Sequence, residues 1–354
     1  MAGIVKKEAS AAMVILAFAT VYIVWGSTYF FIQKAVQHLP PLILGAVRFL
    51  AAGFLLMIWS IIKKEQLWNW QQIKPAIISG LLLLFIGNGA LIVAEKTLPS
   101  SFAAILVSSA PVWFVLLDRP KLKENLRNRS TVAGLIIGFL GVVLLFSQSL
   151  PSLFSSSGHS AQIVGMIILV IGSISWAGGS LYSKYKSSGS ATVNTTWQML
   201  AAGIAFIPFS ILTGEWKEFQ WQQVPASSWL SVLYLVTMGS LVGYSAYVWL
   251  LQVRSATQVS TYAYVNPVVA VLLGVFVAGE RLSLIQITGL AVILVSVLLI
   301  NLTKYRREKE EKRKIAATEH TPIPDADGRT RTTRTETSHE LQERVATKKA
   351  VFNN

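Results

Sequence analysis

The sequence predicts an all-α membrane protein in which ten transmembrane helices form two inverted five-helix repeats. Three observations support this fold class: 53% of the 354 residues are hydrophobic, only 14% are charged, and apolar stretches of helical length follow one another along the chain. A soluble protein would carry roughly a quarter charged residues. Because a transmembrane helix needs about 20 apolar residues, whereas barrel strands have about 10 alternating ones, the continuous stretches favour helices.

The apolar stretches define the predicted helices. They lie at residues 11–33, 42–62, 74–94, 99–118, 130–147, 163–183, 193–213, 227–250, 256–278 and 284–302. The first is too long for the apolar core of a signal peptide, so we expect it to be retained. The predicted regions are an N-terminal segment (1–10), a first repeat (11–147), an external linker (148–162), a second repeat (163–302) and a polar, largely disordered tail (303–354).

The basic residues indicate how the helices are oriented. The formal net charge is +14, but 13 basic and 9 acidic residues lie in the tail 303–354, and the others lie mostly in short gaps between apolar stretches. Because the basic residues are not gathered on one face, no nucleic acid partner is expected. Most of the basic residues between helices lie in connections on the same side of the membrane as the N-terminus. The few on the other side are Lys34, Lys96, Lys217 and Arg281. The positive-inside rule therefore places both termini in the cytoplasm, a layout that fits a multi-pass protein of the inner (plasma) membrane.

The two halves of the chain repeat each other. Trp25 and Trp176 are 151 residues apart, Pro111 and Pro267 are 156 apart, and the glycines that begin GLIIGFLGVVLL and GLAVILVSVLLI are 155 apart. Because each unit has five helices, an odd number, the second unit must enter the membrane from the opposite side. Inverted repeats of this kind are typical of secondary transporters.

Several short motifs resemble the EamA-type transporters of the drug/metabolite transporter superfamily, over about residues 11–303. They are WGSTY at Trp25–Tyr29, NGALIVAE at Asn88–Glu95, VSSAP at Val107–Pro111, WAGGSLY at Trp176–Tyr182, NP at Asn266–Pro267 and GERLS at Gly279–Ser283. The resemblance implies ten helices, two EamA repeats and export of small metabolites through a central cavity. One departure is that the first half has LLDRPKL at Leu116–Leu122 where the second has the GER form.

Polar and aromatic residues within the apolar stretches are the candidates for a substrate cavity. On the first helix, Tyr22, Trp25 and Tyr29 share one face, which we expect to turn inward because lipid disfavours polar groups. Packing between helices or an aromatic belt at the membrane interface is the alternative. The predicted cavity residues are Tyr22, Trp25, Tyr29, Arg48, Asn88, Ser108, Trp176, Gln198, Tyr244 and Tyr264.

Arg48 is the clearest cation within a predicted helix. A buried charge needs a partner, and we expect either Glu95, in a pair that gates the outer side, or a substrate anion. The alternative is that the long side chain reaches the membrane interface. Pro111 and Pro267 break the hydrogen-bond ladder at matching places in the two repeats, which suits either a hinge or a static bend.

The function predicted from these features is a secondary transporter, and specifically an exporter, of small metabolites, amino acids or drugs. An intramembrane enzyme, a channel and a sensor are the alternatives. The sequence lacks cysteine, a P-loop and common catalytic motifs, and its four histidines lack metal-ligand spacing, so we expect no enzyme activity, cofactor or metal. The expected partners are a small-molecule substrate and the lipid bilayer. Small-xxx-small pairs such as Gly134/Gly138 and Gly239/Gly243 fit contacts inside the bundle or in a homodimer.

Overall fold

The computed structural model describes residues 10–147, 159–278 and 283–319, and every regular element in these ranges is a helix. The prediction of an all-α protein is confirmed. The main helices are α1 (Ala11–Val36), α2 (Pro41–Ile62), α3 (Trp70–Ala94), α4 (Ser100–Val107 and Ala110–Leu117), α5 (Arg129–Leu145), α6 (His159–Lys186), α7 (Ala191–Leu212), α8 (Ala226–Val253), α9 (Ala256–Val259 and Tyr262–Ala278) and α10 (Leu284–Glu319). Short helical turns connect some of them, at Arg119–Lys121, Leu122–Arg127, Glu215–Glu218 and Trp221–Gln223.

Seven helices in the described part of the chain are long and apolar enough to cross a membrane. An eighth is added if Phe102–Leu117 and Arg119–Arg127, which meet at 72°, form one bent span. The helix α5 has only 17 residues, and α9 is interrupted before Tyr262, which leaves 17 residues in its longer part. The structure therefore supports seven or eight spans, while the ten-helix inverted repeat stays a prediction.

Several predicted features lie wholly or partly outside the described residues. They are most of the N-terminal segment, most of the linker 148–162, the greater part of the GERLS turn, and the tail beyond residue 319. The chain up to Thr303 forms one compact unit, and the described residues of the second unit, 304–319, are helical.

The surface of the bundle is apolar and part of its interior is polar. Ile15 on α1 is 68% exposed and Leu212 on α7 is 80% exposed, whereas Asn194, Thr196 and Gln198 on α7 are fully buried. A soluble protein rarely exposes so large a continuous apolar surface. The distribution instead fits a bundle surrounded by lipid.

Several helices are capped at their N-termini by side chains that accept hydrogen bonds from the first free backbone N–H groups. Asn128 Oδ1 accepts from Ser130 N at 3.1 Å at the start of α5. The start of α2 is capped from a distant part of the chain, because the Glu215 carboxylate accepts from Leu42 N at 3.1 Å and from Ile43 N at 3.0 Å. A carboxylate is well placed there, since the N-terminus of a helix carries partial positive charge.

Helices of one half pack against helices of the other, and several of these contacts occur twice with the roles of the two halves reversed. The helix α1 contacts α8 and α9, and its counterpart α6 contacts α3 and α4. Likewise α2 contacts α8 while α7 contacts α3, and α2 packs closely along α7. These contacts between the halves are thus accompanied by contacts in which their roles are reversed, as a twofold relation between them would require.

Glycines allow α2 and α7 to approach closely. A Cβ atom built on Gly53 would lie 2.8 Å from Leu200 Cδ2, and one built on Gly203 would lie 2.8 Å from Leu50 N. Both distances are shorter than a van der Waals contact, so a larger residue at either position would push the helices apart.

The glycine pairs of the predicted homodimer faces also make contacts inside the bundle. A Cβ on Gly134 would meet Ile300, and one on Gly243 would meet Trp25. Both pairs therefore have a packing role within one chain, and the homodimer stays a prediction.

Candidate functional site

A cavity lies between α1, α2, α3, α4, α6, α8 and α9, so both halves of the chain contribute to its wall. Its empty space is about 670 Å³, which includes space open to solvent. Among the predicted site residues, those that line it are Trp25, Tyr29, Arg48, Asn88, Trp176 and Tyr244. Other lining residues include Thr28, Phe49, Leu91, Ser173, Gly239, Ser240, Tyr262 and Asn266.

The cavity lies toward the end of the bundle where α1 ends and α2 begins. Its α1 residues, Trp25 and Tyr29, belong to the C-terminal half of that helix, and its α2 residues, Arg48 and Phe49, belong to the N-terminal half of the next. Because the cavity lies nearer to this end, we name it the open end of the bundle. The opposite end, where α1 begins and α2 ends, is called the closed end.

Two π-helical stretches border the cavity. They span Leu81–Asn88 in α3 and Leu235–Tyr244 in α8, so their first residues are 154 positions apart. Such widened turns are rare and often occur at functional sites. Here they carry the lining residues Asn88 and Ser240.

Aromatic rings form one wall of the cavity, where Trp25, Trp176, Tyr244 and Tyr262 line it. Tyr247 packs against Trp25 and Trp176 without lining the cavity, and we call these five residues the aromatic cluster. The Trp25 ring centroid lies 4.9 Å from that of Tyr247 and 5.0 Å from that of Tyr262. Trp25 Nε1 donates a hydrogen bond to the Gly239 carbonyl at 3.1 Å, which fixes the indole. Rings held in this way offer flat apolar faces for stacking, or a negative face for a cation.

Arg48 brings a positive charge to the cavity. It is only 4% exposed, and its guanidinium donates from Nε to Ser240 Oγ at 3.0 Å and from Nη1 to Asn88 Oδ1 at 3.3 Å. It also lies over the Phe49 ring, 5.0 Å from the centroid. Both hydrogen-bond acceptors are neutral, so an anionic ligand would gain a charge-assisted hydrogen bond here.

Glu95 lies near Arg48 but makes no ion pair with it within the described residues. Its side chain is 3% exposed, and neither carboxyl oxygen has a hydrogen-bond partner there. It interacts electrostatically with Arg48 and with Tyr29, both of which line the cavity. The salt bridge of the gating hypothesis is therefore not formed in this conformation, and gating by the pair stays a prediction.

Gln198 is buried behind the cavity wall. Its Nε2 donates to Ser79 Oγ at 2.8 Å and to Ser183 Oγ at 3.2 Å, while Tyr244 OH donates to its Oε1 at 3.0 Å. Because Tyr244 lines the cavity, the hydrogen bond to Gln198 holds this part of the cavity wall in position.

The contacts of Arg48 and Gln198 correspond between the halves. Arg48 on α2 bonds to Asn88 at the end of one π-helical stretch, and Gln198 on α7 bonds to Tyr244 at the end of the other. At corresponding places, the first half thus has a pair that contains one cation, Arg48 with Asn88, and the second half has a neutral pair, Gln198 with Tyr244.

Three other predicted cavity residues lie outside the lining and bond to neighbouring helices. Tyr22 OH and Thr261 Oγ1 are 2.7 Å apart, which joins α1 to α9. Tyr264 OH donates to the Leu135 carbonyl at 2.8 Å, which joins α9 to α5. Ser108 Oγ donates to the Ala263 carbonyl at 2.8 Å and lies between the two parts of α4.

The bond from Ser108 has a direct physical reason. Pro267 has no N–H, so it leaves the carbonyl of Ala263, four residues earlier, without its helical partner. Ser108 on α4 offers a donor to this carbonyl at 2.8 Å, and the same hydroxyl hydrogen is shared with the Ala104 carbonyl of its own helix at 2.7 Å. Pro267 lies inside a continuous helix, whereas Pro111 lies in the first turn of the second part of α4.

Tyr262 lines the cavity and Tyr247 packs against the aromatic wall, and neither was predicted. In α9 the sequence analysis selected Tyr264, but the helix begins anew at Tyr262 after a break, which changes which residues face inward. Tyr247 lies three residues after Tyr244, so a shared helix face could have identified it.

The exposed apolar surface and the internal cavity define a helical membrane protein with a cavity between its two halves. The family model described as the EamA-like transporter family matches residues 12–147 and again residues 163–302. The chain therefore belongs to the EamA-like transporter family, and the resemblance seen in its motifs is confirmed. The family is one of transporters rather than enzymes.

Curated proteins with similar sequences agree with this assignment. The chain is 38% identical over 292 residues to the "Uncharacterized inner membrane transporter YedA" of Escherichia coli K12, covering 82% of this chain and 90% of YedA. It is 25% identical over 295 residues to the "Uncharacterized transporter YvbV" of Bacillus subtilis, covering 83% of this chain and 93% of YvbV. It is also 25% identical over 293 residues to "Protein PecM" of Dickeya dadantii, covering 82% and 93%.

A solved crystal structure has the same fold. It superposes with a TM-score of 0.68 at 18% sequence identity and covers 84% of this chain and 100% of the solved one. At this identity the similarity describes the fold alone.

Proposed function

We propose that the protein is a secondary transporter that exports small organic metabolites across the inner membrane by alternating access. The cavity around Trp25, Arg48 and Trp176 would be its substrate site. The observation that carries this proposal is a cavity shared by two halves, with a buried cation on one side and an aromatic wall on another.

The exchanged contacts between the halves support alternating access. In an inverted repeat, each half can adopt the conformation of the other, and the cavity then opens at the opposite end. The reversed pairs α1 with α8 and α6 with α3 provide the matching interfaces that such an exchange needs.

The position of the cavity, nearer the open end, supports a state that faces one side only. Glu215 joins the halves at the open end, at the start of α2, and side-chain hydrogen bonds join them at the closed end. Tyr185 OH donates to Asp118 Oδ1 at 2.6 Å, and Tyr22 pairs with Thr261. With both termini in the cytoplasm, as the basic residues indicate, the closed end would be cytoplasmic and the cavity would face outward. An exporter in this state is ready to release substrate or to take up a coupling ion.

The cavity chemistry favours a substrate that combines a carboxylate with an apolar or aromatic group. Arg48 would bind the carboxylate, and the rings of Trp25 and Trp176 would contact the apolar part. Amino acids fit this description, and so do other amphipathic carboxylates.

Transport into proteoliposomes tests the proposal. Vesicles of phosphatidylethanolamine and phosphatidylglycerol carrying the protein are preloaded with one compound, and uptake of its radiolabelled form is followed. The panel contains amino acids, the methyl esters of the same amino acids, and amphipathic cations. We expect saturable counterflow with the free carboxylates and a large loss with the methyl esters, because the ester removes the anion that Arg48 would bind.

The same experiment separates the alternatives. Flux that rises linearly with concentration would indicate a channel, and a chemically altered compound would indicate an enzyme. Equal counterflow of carboxylates and esters would contradict the role given to Arg48. Empty vesicles and vesicles with an Arg127→Gln variant, which changes an exposed arginine outside the cavity, serve as controls.

A further inference from the structure

Glu95 occupies an unusual position for a carboxyl group. It follows the last residue of α3, and it lies four residues after Leu91 and seven after Asn88, two residues that line the cavity. That spacing places the three on one helix face. The carboxyl group is therefore directed to the same side as the cavity wall, one turn nearer the open end.

The surroundings of Glu95 are poor in partners. Within the described residues, no donor lies within hydrogen-bonding distance of either carboxyl oxygen, although both are buried. A buried charge without hydrogen bonds or a close counterion is strongly unfavourable, and a carboxyl group in such a place binds a proton instead.

The charged and titratable groups that face Glu95 are few. Tyr29 on α1 and Arg48 on α2 interact with it electrostatically. The facing part of α6, residues 161–176, and the first part of α4, residues 100–107, contain no ionisable side chain. Arg48 is the nearest source of positive charge, but its donors are directed to Ser240 and Asn88.

We propose that Glu95 binds either a proton or the ammonium group of a zwitterionic substrate, and that this exchange couples export to proton entry. The inference rests on the proposed transport function. In the proposed outward-facing state, before substrate binds, Glu95 holds the proton. In the loaded state the substrate carboxylate lies on Arg48, and its ammonium group pairs with the Glu95 carboxylate.

The charges balance over one cycle. One proton binds Glu95 from outside as one zwitterion leaves, and the same proton dissociates inside when the next zwitterion binds. The substrate carries no net charge, so each cycle moves one positive charge inward. Both a pH gradient and a negative membrane potential inside would therefore drive export.

Infrared spectroscopy tests proton binding without any substrate. A protonated carboxyl group has its own carbonyl stretching band, which disappears when the proton is lost. Difference spectra of the purified protein between neutral and alkaline pH, with and without isotope-labelled glutamate, identify a glutamate that still holds its proton at neutral pH, because exposed carboxyl groups are already ionised there. We expect such a band in the wild type and in Glu124→Gln, which changes an exposed carboxylate, but not in Glu95→Gln.

Proton movement in proteoliposomes tests the coupling. A pH-sensitive dye is enclosed in the vesicles, and a mixture of the twenty common amino acids is added outside. We expect proton movement with the wild type and with Glu124→Gln, and none with Glu95→Gln. The affinity for amino acids should also fall about tenfold in Glu95→Gln, as expected for the loss of one charged hydrogen bond.

The outcomes are decisive for the proposal. A glutamate band that persists in Glu95→Gln, or the absence of any such band in the wild type, would overturn it. So would proton movement that is unchanged in Glu95→Gln. If the band is lost as expected but no panel compound shows counterflow in any variant, the transport proposal fails while the proton site stands. If Glu95→Gln does not fold, Glu95→Asp serves as the second variant: it keeps a carboxyl group but removes the labelled glutamate, so the isotope shift of the band should disappear there, and a shift that persists would overturn the proposal.

Discussion

The indole rings of Trp25 and Trp176 pack edge to face, with their centroids 5.5 Å apart. The two residues occupy corresponding positions in the two halves, 151 residues apart, and both line the cavity. One ring from each half thus forms the part of the cavity wall where the halves meet. A conformational change that moves the halves relative to each other would alter this contact, and with it the surface offered to a substrate.

Replacing either indole should weaken substrate binding. In Trp25→Ala and in Trp176→Ala, the loss of stacking surface should raise the apparent KM of amphipathic substrates about tenfold, since one aromatic contact contributes about 1 kcal/mol beyond its apolar area. Trp68→Ala is the matched control, because Trp68 is 77% exposed. Counterflow kinetics measure the effect, and a control variant as impaired as the two others would contradict this role.

Arg48 should not be replaceable by another cation without loss. Lysine keeps the charge but cannot donate to Ser240 and Asn88 together in the fork geometry of a guanidinium. We expect Arg48→Gln to abolish counterflow of carboxylates and Arg48→Lys to retain a small part of it. Saturation kinetics with amino acids measure both variants, and full activity in Arg48→Gln would show that the charge is not used.

The bond between Tyr185 and Asp118 should help to keep the closed end shut. Tyr185→Phe removes the donated hydrogen bond and should increase the fraction of molecules open at that end. Because the sequence has no cysteine, Thr257→Cys introduces a single thiol on α9 at the closed end, where Thr257 is buried. Its labelling rate should rise in Tyr185→Phe and stay unchanged in Tyr182→Phe, and equal rates in all three backgrounds would argue against the gate.

Ser108 and Pro267 should be energetically coupled. Ser108→Ala leaves the Ala263 carbonyl without its donor and should cost about 1 kcal/mol of stability. In a Pro267→Ala background, alanine restores the helical N–H, so the same serine substitution should cost much less. Thermal unfolding of the four proteins in detergent gives the coupling energy, and strictly additive effects would contradict the assignment.

The membrane orientation can be tested with an impermeant thiol reagent on intact cells. If the halves are inverted and both termini are cytoplasmic, Ser155→Cys should react from outside and Glu310→Cys only after the membrane is permeabilised. Reaction of both residues from the same side would rule out the inverted arrangement.

The all-α membrane class could be predicted from the sequence because apolar stretches long enough to span a bilayer are rare outside transmembrane helices. Trp25, Arg48 and Trp176 could be predicted as cavity residues because polar and aromatic groups are costly in lipid. Tyr262 could not, since the break in α9 changes the helical phase. The missing contact between Arg48 and Glu95 was also beyond prediction, because Ser240 and Asn88, which hold the guanidinium, are distant in sequence.

The glycine contacts between α2 and α7 limit how the molecule can move. Gly53 and Gly203 bring each backbone against a leucine of the other helix, so these two helices have little room to approach further. The remaining freedom is rotation about their line of contact. The α2–α7 pair would then be the axis about which the outer helices rotate. A single alanine at either glycine would block this rotation without changing a residue of the cavity.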